Sequence, residues 1–220
     1  MAGQPNPPAD PHQGQPVLAA GQPLDRAEAV MLLLHGRGAT AQGILSLADE
    51  LDQPGFAYLA PQALGNSWYP LSFLAPLDRN EPYLSSALSS ISRVLESLAE
   101  AGIPDERIAL LGFSQGACLA LEFSARHARR YGGVFGLSGG LIGPEGTSRD
   151  YAGSMPGTPV FLGCSDADPH IPSERVIESA EVFRRLGAEV TARLYPRMGH
   201  TVNQDELVFV RTIMEGISSE

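Results

Sequence analysis

A single serine lies between two glycines at the point where an apolar run of the sequence ends. The segment GFSQG spans Gly112 to Gly116, with Ser114 at its centre. Residues 108–111 predict a buried strand, and residues 117–123 predict a helix that packs on its neighbours. A strand that turns into a helix within about two residues strains the corner residue, and flanking glycines remove the side chains that would clash there. The pattern is typical of a nucleophilic serine, and an ordinary glycine-bounded turn is the alternative.

A serine hydroxyl is a poor nucleophile unless a base accepts its proton, and histidine is the usual base. There are five histidines. His12 lies near the N-terminus, His35 lies in the loop expected to stabilise the oxyanion, and His127 ends the helix after the serine. Only His170 and His200 come late enough for the chain order serine, acid, histidine. We favour His200, which follows the last predicted strand, because the acid must precede it after a strand of its own.

The acid that orients the histidine should follow the strand predicted over residues 159–163. The loop after this strand reads CSDADPHIP and offers two carboxylates, Asp166 and Asp168. Position favours Asp168 but leaves both residues open. A loop or capping carboxylate is the alternative for either one.

Backbone N–H groups must stabilise the oxyanion that forms when a serine attacks a carbonyl carbon. One donor is expected from Gln115, the residue after the serine, at the start of a helix whose dipole favours negative charge. The other is expected from Arg37 in the segment HGRG, which follows the first predicted strand. Gly36 and Gly38 would let this backbone approach the substrate oxygen. An ordinary tight turn is the alternative.

The loop over residues 61–80 contains several large apolar side chains, including Trp68, Phe73 and Leu74. Exposing apolar surface to water costs roughly 25 cal/mol per Å², so this loop either packs onto the core or lines a groove. It leaves the carboxyl end of a strand, on the same side of the sheet as the serine. We therefore expect these three side chains to contact the substrate, with packing in the core as the alternative.

Short apolar runs alternate with amphipathic helical stretches along the chain. The clearest apolar stripe predicts a helix from Glu81 to Ala101, with Asn80 as N-cap, Pro82 in the first turn and Gly102 at the end. The alternation predicts an α/β fold with a mostly parallel central sheet and helices on both faces. Strands are predicted over residues 29–34, 56–60, 108–111, 133–137, 159–163 and 189–195, with short edge strands within 17–24, and further helices over residues 44–51, 117–123, 173–186 and 204–217.

The composition is that of one globular domain, because 43% of the 220 residues are hydrophobic. The formal net charge of −10 argues against nucleic acid or an anionic membrane surface as the main partner. Residues 1–16 contain five prolines and neither an arginine nor an apolar block. They predict a disordered N-terminal tail, and not a secretory signal, ahead of a single domain over residues 17–220.

The two cysteines, Cys118 and Cys164, form no C-x-x-C pair and lie in apolar elements. This placement predicts buried free thiols and a reducing compartment. No run of about 18 apolar residues occurs, which predicts no integral membrane association. We therefore expect a cytoplasmic protein.

The segments LLLHGRGAT, LGFSQGA, DPHIP and MGH occur in this order along the chain. In these motifs the chain resembles the α/β-hydrolase carboxylesterase/phospholipase family that includes the acyl-protein thioesterases, and the resemblance covers residues 28–214. It implies an α/β-hydrolase fold with no large cap domain. It also implies Ser114 as nucleophile, Asp168 as acid, His200 as base, and Arg37 and Gln115 as oxyanion donors. The family often has leucine at the position of Arg37, and often His-Gly where this chain has Cys164 and Ser165.

Together these residues predict a serine carboxylesterase that hydrolyses carboxylic esters through an acyl-enzyme, with thioesters and lysophospholipids as further substrate types. The expected partner is a small-molecule ester or acyl substrate, and the reaction requires no metal and no cofactor. A homodimer is compatible with the sequence. The alternatives are a serine peptidase or amidase with the same triad, and a non-catalytic binding protein on this fold.

Overall fold

A computed structural model describes residues 10–217. Seven strands of this part of the chain form one sheet: β1 (Val17–Gly21), β2 (Ala29–Leu34), β3 (Phe56–Pro61), β4 (Ile108–Phe113), β5 (Gly133–Leu137), β6 (Pro159–Ser165) and β7 (Glu189–Tyr195). Their order in the sheet is β1-β3-β2-β4-β5-β6-β7. Strands β2 to β7 are parallel, and β1 pairs antiparallel with β3 at the edge. The predicted mostly parallel sheet is therefore confirmed.

Five α-helices cover both faces of the sheet: α1 (Ala41–Leu51), α2 (Tyr83–Glu100), α3 (Gln115–Arg126), α4 (Ser173–Arg185) and α5 (Gln204–Ile217). Along β2, Leu32 belongs to one apolar layer and Leu33 to the other, because successive side chains of a strand point to opposite faces. Helices α2, α3 and α4 pack in the layer of Leu32, and α1 and α5 pack in the layer of Leu33. Within residues 10–217 no cap domain interrupts this arrangement.

The parallel register brings the carboxyl ends of the central strands to one edge of the sheet. Leu34 pairs with Gly112, and Phe113 pairs with Leu137. Strand β6 continues beyond its predicted end, so Ser165 pairs with the last residue of β7. The loops that carry the predicted serine, acid and histidine therefore all begin at this edge.

The start of α2 differs from the prediction. The helix begins at Tyr83, and Asn80 does not cap it. The buried Asn80 side chain instead binds the loop over residues 61–80, accepting from the N–H of Leu71 at 2.9 Å and donating to the carbonyl of Ser72 at 3.1 Å. Buried polar groups need such partners, and here the loop backbone supplies them. The predicted end is correct, since Gly102 follows the helix with φ +81°.

Residues 10–16 do not form the disordered tail that the sequence predicts, and residues 1–9 lie outside the described part of the chain. The imidazole of His12 is buried, with Nδ1 accepting from the N–H of Leu64 at 3.0 Å and Nε2 bonded to the carbonyl of Trp68 at 2.9 Å. Asp10 forms an ion pair with Arg93 of α2 at 2.7 Å. This segment thus ties the loop over residues 61–80 to α2.

None of the helices in residues 10–217 has the length and apolar character needed to cross a membrane.

Candidate active site

Ser114 occupies the corner between β4 and α3 with φ 56° and ψ −117°. This left-handed conformation is strained for a residue that carries a side chain. A Cβ at Gly112 would lie 2.2 Å from the backbone of Gly116, and a Cβ at Gly116 would lie 2.0 Å from the carbonyl oxygen of Leu34. The sequence-based reason for the two glycines is confirmed, because no other residue fits either position.

Three side chains from three different loops form one hydrogen-bonded series. Nε2 of His200 lies 2.8 Å from Oγ of Ser114, and Nδ1 lies 2.7 Å from Oδ2 of Asp168. An ionised carboxylate can only accept, so Nδ1 carries the proton and Nε2 is left to accept from the serine hydroxyl. The ring of Phe113 lies 5.1 Å from the imidazole of His200, between ring centres.

Asp168 is the more fully bonded of the two candidate acids. Its side chain is inaccessible to solvent, and its Oδ1 accepts from the N–H groups of His170 and Ile171 at 2.8 and 3.1 Å. Burial by itself would raise the pKa of this carboxyl. The hydrogen bonds from His200 and the two backbone N–H groups outweigh burial and hold its pKa below the usual value. The side chain therefore stays an acceptor for the imidazole.

The thiol of Cys164 adds a further contact to the same carboxylate. Sγ lies 3.7 Å from Oδ2 of Asp168. Burial raises the pKa of this thiol to about 12, so it stays protonated and donates. A neutral donor at this point supports the ionised form of Asp168 without adding a charge.

Asp166 has a different role from Asp168. Its Oδ1 accepts from the N–H of Arg197 at 2.8 Å, three residues before His200. Oγ of Ser165 accepts from the N–H of Gly199 at 3.2 Å. These two side chains anchor the turn that carries the histidine onto the end of β6, and we describe both as positioning residues.

His35 and His127 serve the scaffold. Nε2 of the buried His35 accepts from the N–H of Ala63 at 3.1 Å, and its Nδ1 binds the carbonyl of Gly36 at 2.8 Å. Burial lowers the pKa of this imidazole, which favours its neutral form. His127 stacks on Phe123 with ring centres 4.4 Å apart.

Two backbone N–H groups near Ser114 can serve a substrate oxygen. Gln115 opens α3, and the first N–H groups of a helix have no acceptor within the helix. The loop that carries Arg37 approaches the serine closely, since a Cβ at Gly36 would lie 3.4 Å from Cβ of Ser114. The N–H of Arg37 donates no hydrogen bond within residues 10–217.

The side chains of Gln115 and Arg37 hold the neighbouring loop in place. Oε1 of Gln115 accepts from the N–H of Trp68 at 2.9 Å, and Nε2 donates to the carbonyl of Tyr69 at 2.8 Å. The guanidinium of Arg37 donates to the carbonyl of Pro70 at 2.8 Å. The side chains of both predicted oxyanion donors therefore shape the wall beside the serine, which sequence reasoning missed.

A cavity of about 420 Å³ opens beside Ser114. His170 lies at this cavity with its ring edge-on to that of His200, at 4.8 Å between centres. Within residues 10–217, His, Cys, Asp and Glu side chains form no group of three that could hold a metal ion. The lining residues are Arg37, Tyr69, Pro70, Leu71, Ser72, Phe73, Ser114, Gln115, Cys118, His170, Ile171 and His200.

The structure corrects two of the three predicted substrate contacts. Trp68 is wholly buried in the core, where its Nε1–H donates to the carbonyl of His35 at 2.8 Å. Leu74 lines a separate depression beside α4. Only Phe73 lies in the wall of the cavity beside Ser114. The loop contributes its next residues, Tyr69 to Phe73, because the hydrogen bonds of Trp68 turn the indole inward.

A family model of phospholipases and carboxylesterases matches residues 17–217. The chain belongs to the phospholipase/carboxylesterase family. Acyl-protein thioesterase 1 of Gibberella zeae is 30% identical over 206 residues, which are 81% of this chain and 86% of that protein. Acyl-protein thioesterase 1 of Saccharomyces cerevisiae is 30% identical over 218 residues, covering 88% of this chain and 93% of that protein.

Solved structures agree with the family assignment. The crystal structure of a phospholipase/carboxylesterase from Dyadobacter fermentans is 42% identical, with a TM-score of 0.89, and covers 92% of this chain and 97% of that chain. Esterase PE8 shares the fold at 24% identity with a TM-score of 0.75, covering 92% of this chain and 98% of that chain. As a member of the phospholipase/carboxylesterase family, the protein is a serine hydrolase that acts on esters.

Proposed function

We propose that the protein hydrolyses carboxylic esters and thioesters through a covalent acyl-enzyme formed on Ser114. The observation that carries this proposal is the hydrogen-bonded series from Ser114 through His200 to Asp168, at 2.8 and 2.7 Å, beside an open cavity. These distances lie within the range in which a base takes a proton from a hydroxyl. The order of the contacts supports Ser114 as nucleophile, His200 as base and Asp168 as orienting acid.

In the first step, Oγ of Ser114 attacks the acyl carbonyl carbon while Nε2 of His200 takes the hydroxyl proton. Asp168 holds the imidazole in the required tautomer and stabilises the imidazolium that forms. The bond from the acyl carbon to the alcohol or thiol then breaks. His200 returns the proton to that leaving group, and the acyl group remains on the serine.

The carbonyl oxygen becomes negatively charged during this attack. We assign its stabilisation to the backbone N–H groups of Gln115 and Arg37. The dipole of α3 adds to this, because its positive end points at the oxygen. In the second step, water loses a proton to His200 and attacks the acyl carbon. The bond from that carbon to Oγ of Ser114 then breaks, His200 returns the proton to Oγ, and the carboxylic acid is released.

The cavity indicates a substrate of modest size with an apolar part. Phe73 and Ile171 are apolar residues of the cavity wall. A cavity volume of about 420 Å³ suits a small ester. The thioester arm of the proposal draws on the names of the fungal relatives. We place this activity in the cytoplasm. Both cysteines are free and buried, which suits a reducing compartment.

A fluorophosphonate probe and a substrate panel test the proposal together. We expect the probe to label the wild-type protein and Ser124→Ala, a matched control that removes a buried hydroxyl of α3. Ser114→Ala should not be labelled. The panel comprises p-nitrophenyl esters of graded acyl length, one acyl thioester and one anilide. Hydrolysis of the esters supports the proposal, cleavage of the anilide alone would identify an amidase, and absence of labelling would indicate a binding protein.

A further inference from the structure

The guanidinium of Arg37 presents an uncompensated positive charge at the cavity beside Ser114. Its hydrogen bonds within the described residues all end on neutral oxygens, namely Oγ of Ser67 at 3.2 Å and the carbonyls of Pro70 and Leu71. Three bonds leave part of the five-donor fork of a guanidinium unused. The side chain is exposed, so that fork can be reached from solvent.

The wall of this cavity carries a cationic side chain and no acidic one. The amide of Gln115 already bonds through both its oxygen and its nitrogen. The carbonyls of Pro70 and Leu71 already accept from Arg37. No Asp or Glu is among the residues that line this cavity. No carboxylate of the lining therefore opposes an anionic ligand beside Arg37.

Tyr69 lines the same wall, but its hydroxyl is not available to a ligand. Its hydroxyl is buried, and no nitrogen or oxygen of residues 10–217 accepts a hydrogen bond from it; the polar group beside it is the thiol of Cys118. Burial raises the pKa of this phenol well above its ordinary value, so the hydroxyl keeps its proton. The Arg37 guanidinium lies 5.9 Å from the centre of the Tyr69 ring.

This local charge contrasts with the chain as a whole, whose formal net charge is −10. The carboxylate of the proposed triad, Asp168, has a side chain inaccessible to solvent and is bonded to His200. We propose that Arg37 makes the enzyme select esters that carry a carboxylate a few atoms from the scissile carbonyl. This inference rests on the proposed function, because it concerns the substrate of the same serine.

A purely structural use of Arg37 is the competing explanation, since its guanidinium also holds the loop over residues 67–71. Charge and hydrogen bonding can be separated by two substitutions. Arg37→Gln keeps an N–H donor for the loop carbonyls and removes the charge. Arg37→Lys keeps the charge and removes the planar fork. If Arg37 only holds the loop, both substitutions should lower kcat/KM by the same factor for every substrate.

The test uses two pairs of esters matched in size. In the first pair the charge is on the acyl side, with mono-p-nitrophenyl glutarate against p-nitrophenyl valerate. In the second it is on the alcohol side, with 4-acetoxybenzoate against 4-acetoxybenzamide. The quantity measured is the ratio of kcat/KM for the anionic ester to that for its neutral partner. Any damage to the oxyanion contact affects both members of a pair and cancels in this ratio.

We expect the wild-type ratio to exceed one in at least one pair and to fall as salt is added, because ions screen an exposed charge. Arg37→Gln should lower that ratio by about tenfold, the effect expected for a hydrogen bond to a charged group. Arg37→Lys should retain most of it. Arg184→Gln on α4 changes the net charge equally, lies outside the cavity and should leave the ratio unchanged.

Two results would overturn the inference. One is a wild-type ratio at or below one in both pairs, and the other is a ratio that Arg37→Gln leaves unchanged. In either case the neutral esters are still hydrolysed and Ser114→Ala is still inactive, so the proposed function stands. A wild-type protein that hydrolyses none of the four esters would instead contradict the proposed function itself.

Discussion

Nδ1 of His200 lies 2.7 Å from Oδ2 of Asp168, so the imidazole is bonded to the second carboxylate of the loop after β6. Asp166, two residues earlier, accepts instead from the backbone of Arg197. Both carboxylates thus act on the histidine. Asp168 bonds to its ring, whereas Asp166 fixes the turn that carries it.

The two carboxylates should therefore respond differently to the same substitution. Asp168→Asn should lower kcat by roughly 10⁴-fold, because an amide can donate to the imidazole and stabilise the wrong tautomer. Asp166→Asn should cost less than about tenfold, since an amide oxygen can still accept from the N–H of Arg197. Steady-state kinetics on a p-nitrophenyl ester decides the ranking. The opposite ranking would assign the acid to Asp166.

Ser114 and His200 should behave as one unit. Each single alanine substitution should lower kcat by roughly 10⁴ to 10⁶-fold, and the double variant should lose little more. The reason is that neither side chain can act in the attack without the other, at their 2.8 Å contact. Losses that multiply in the double variant would show that the two side chains work independently.

Trp68 should matter for stability much more than the half-buried Leu74, and neither side chain should determine substrate choice. Trp68→Ala removes a wholly buried indole that is bonded to His35, and it should lower the free energy of unfolding by roughly 3–5 kcal/mol. Leu74→Ala, at a half-buried position outside the cavity, is the matched control. Urea denaturation measures the first effect. A Trp68 variant of normal stability with a raised KM for large esters alone would contradict the core placement.

Glu206 predicts an unusual dependence of stability on pH. Its side chain is buried, with Oε2 accepting from the N–H of Asn203 at 2.8 Å, and Oε1 has no partner within residues 10–217. A Cβ at Gly163 would lie 2.0 Å from Oε1, so the glycine makes room for this oxygen. Burial raises the pKa of Glu206 from 4.5 to about 7.

Between pH 4.5 and about 7 the folded state keeps a proton at Glu206 that the unfolded state releases. The protonated Glu206 therefore costs the folded state nothing below pH 4.5. As the pH rises from 4.5 to about 7, the free energy of unfolding falls by up to roughly 3 kcal/mol. Glu206→Gln does not titrate, so its stability relative to the wild type should improve by about that amount from pH 4.5 to 8. Urea denaturation at several pH values measures the difference, and a constant difference would contradict a raised pKa.

The neighbouring Asp205 provides a control of opposite sign. Hydrogen bonds from Tyr195 and Arg193 lower the pKa of this exposed carboxyl. Its contribution to stability is present above the ordinary pKa of 3.8 and is lost as the pH falls through the lowered value. The destabilisation caused by Asp205→Asn should therefore shrink on acidification.

The serine corner and the α/β architecture could be predicted from local patterns along the chain. Gly112, Ser114 and Gly116 are close in the chain, and the clash that only glycine avoids at Gly112 is between residues four apart. The alternation of apolar runs is likewise a local pattern, which sets strands and helices before any long-range contact forms. Features of this kind can be predicted from the sequence because their physical causes lie within a few residues.

Long-range contacts fix the direction in which individual loop side chains face. Trp68 turns into the core because His12, His35 and Gln115, all distant in sequence, bond to its backbone or its indole. Asn80 binds the loop over residues 61–80 instead of capping α2 for the same kind of reason. A polar group is directed by whichever partner reaches it once the chain has folded, and loop residues have no periodic pattern that reveals that partner in advance.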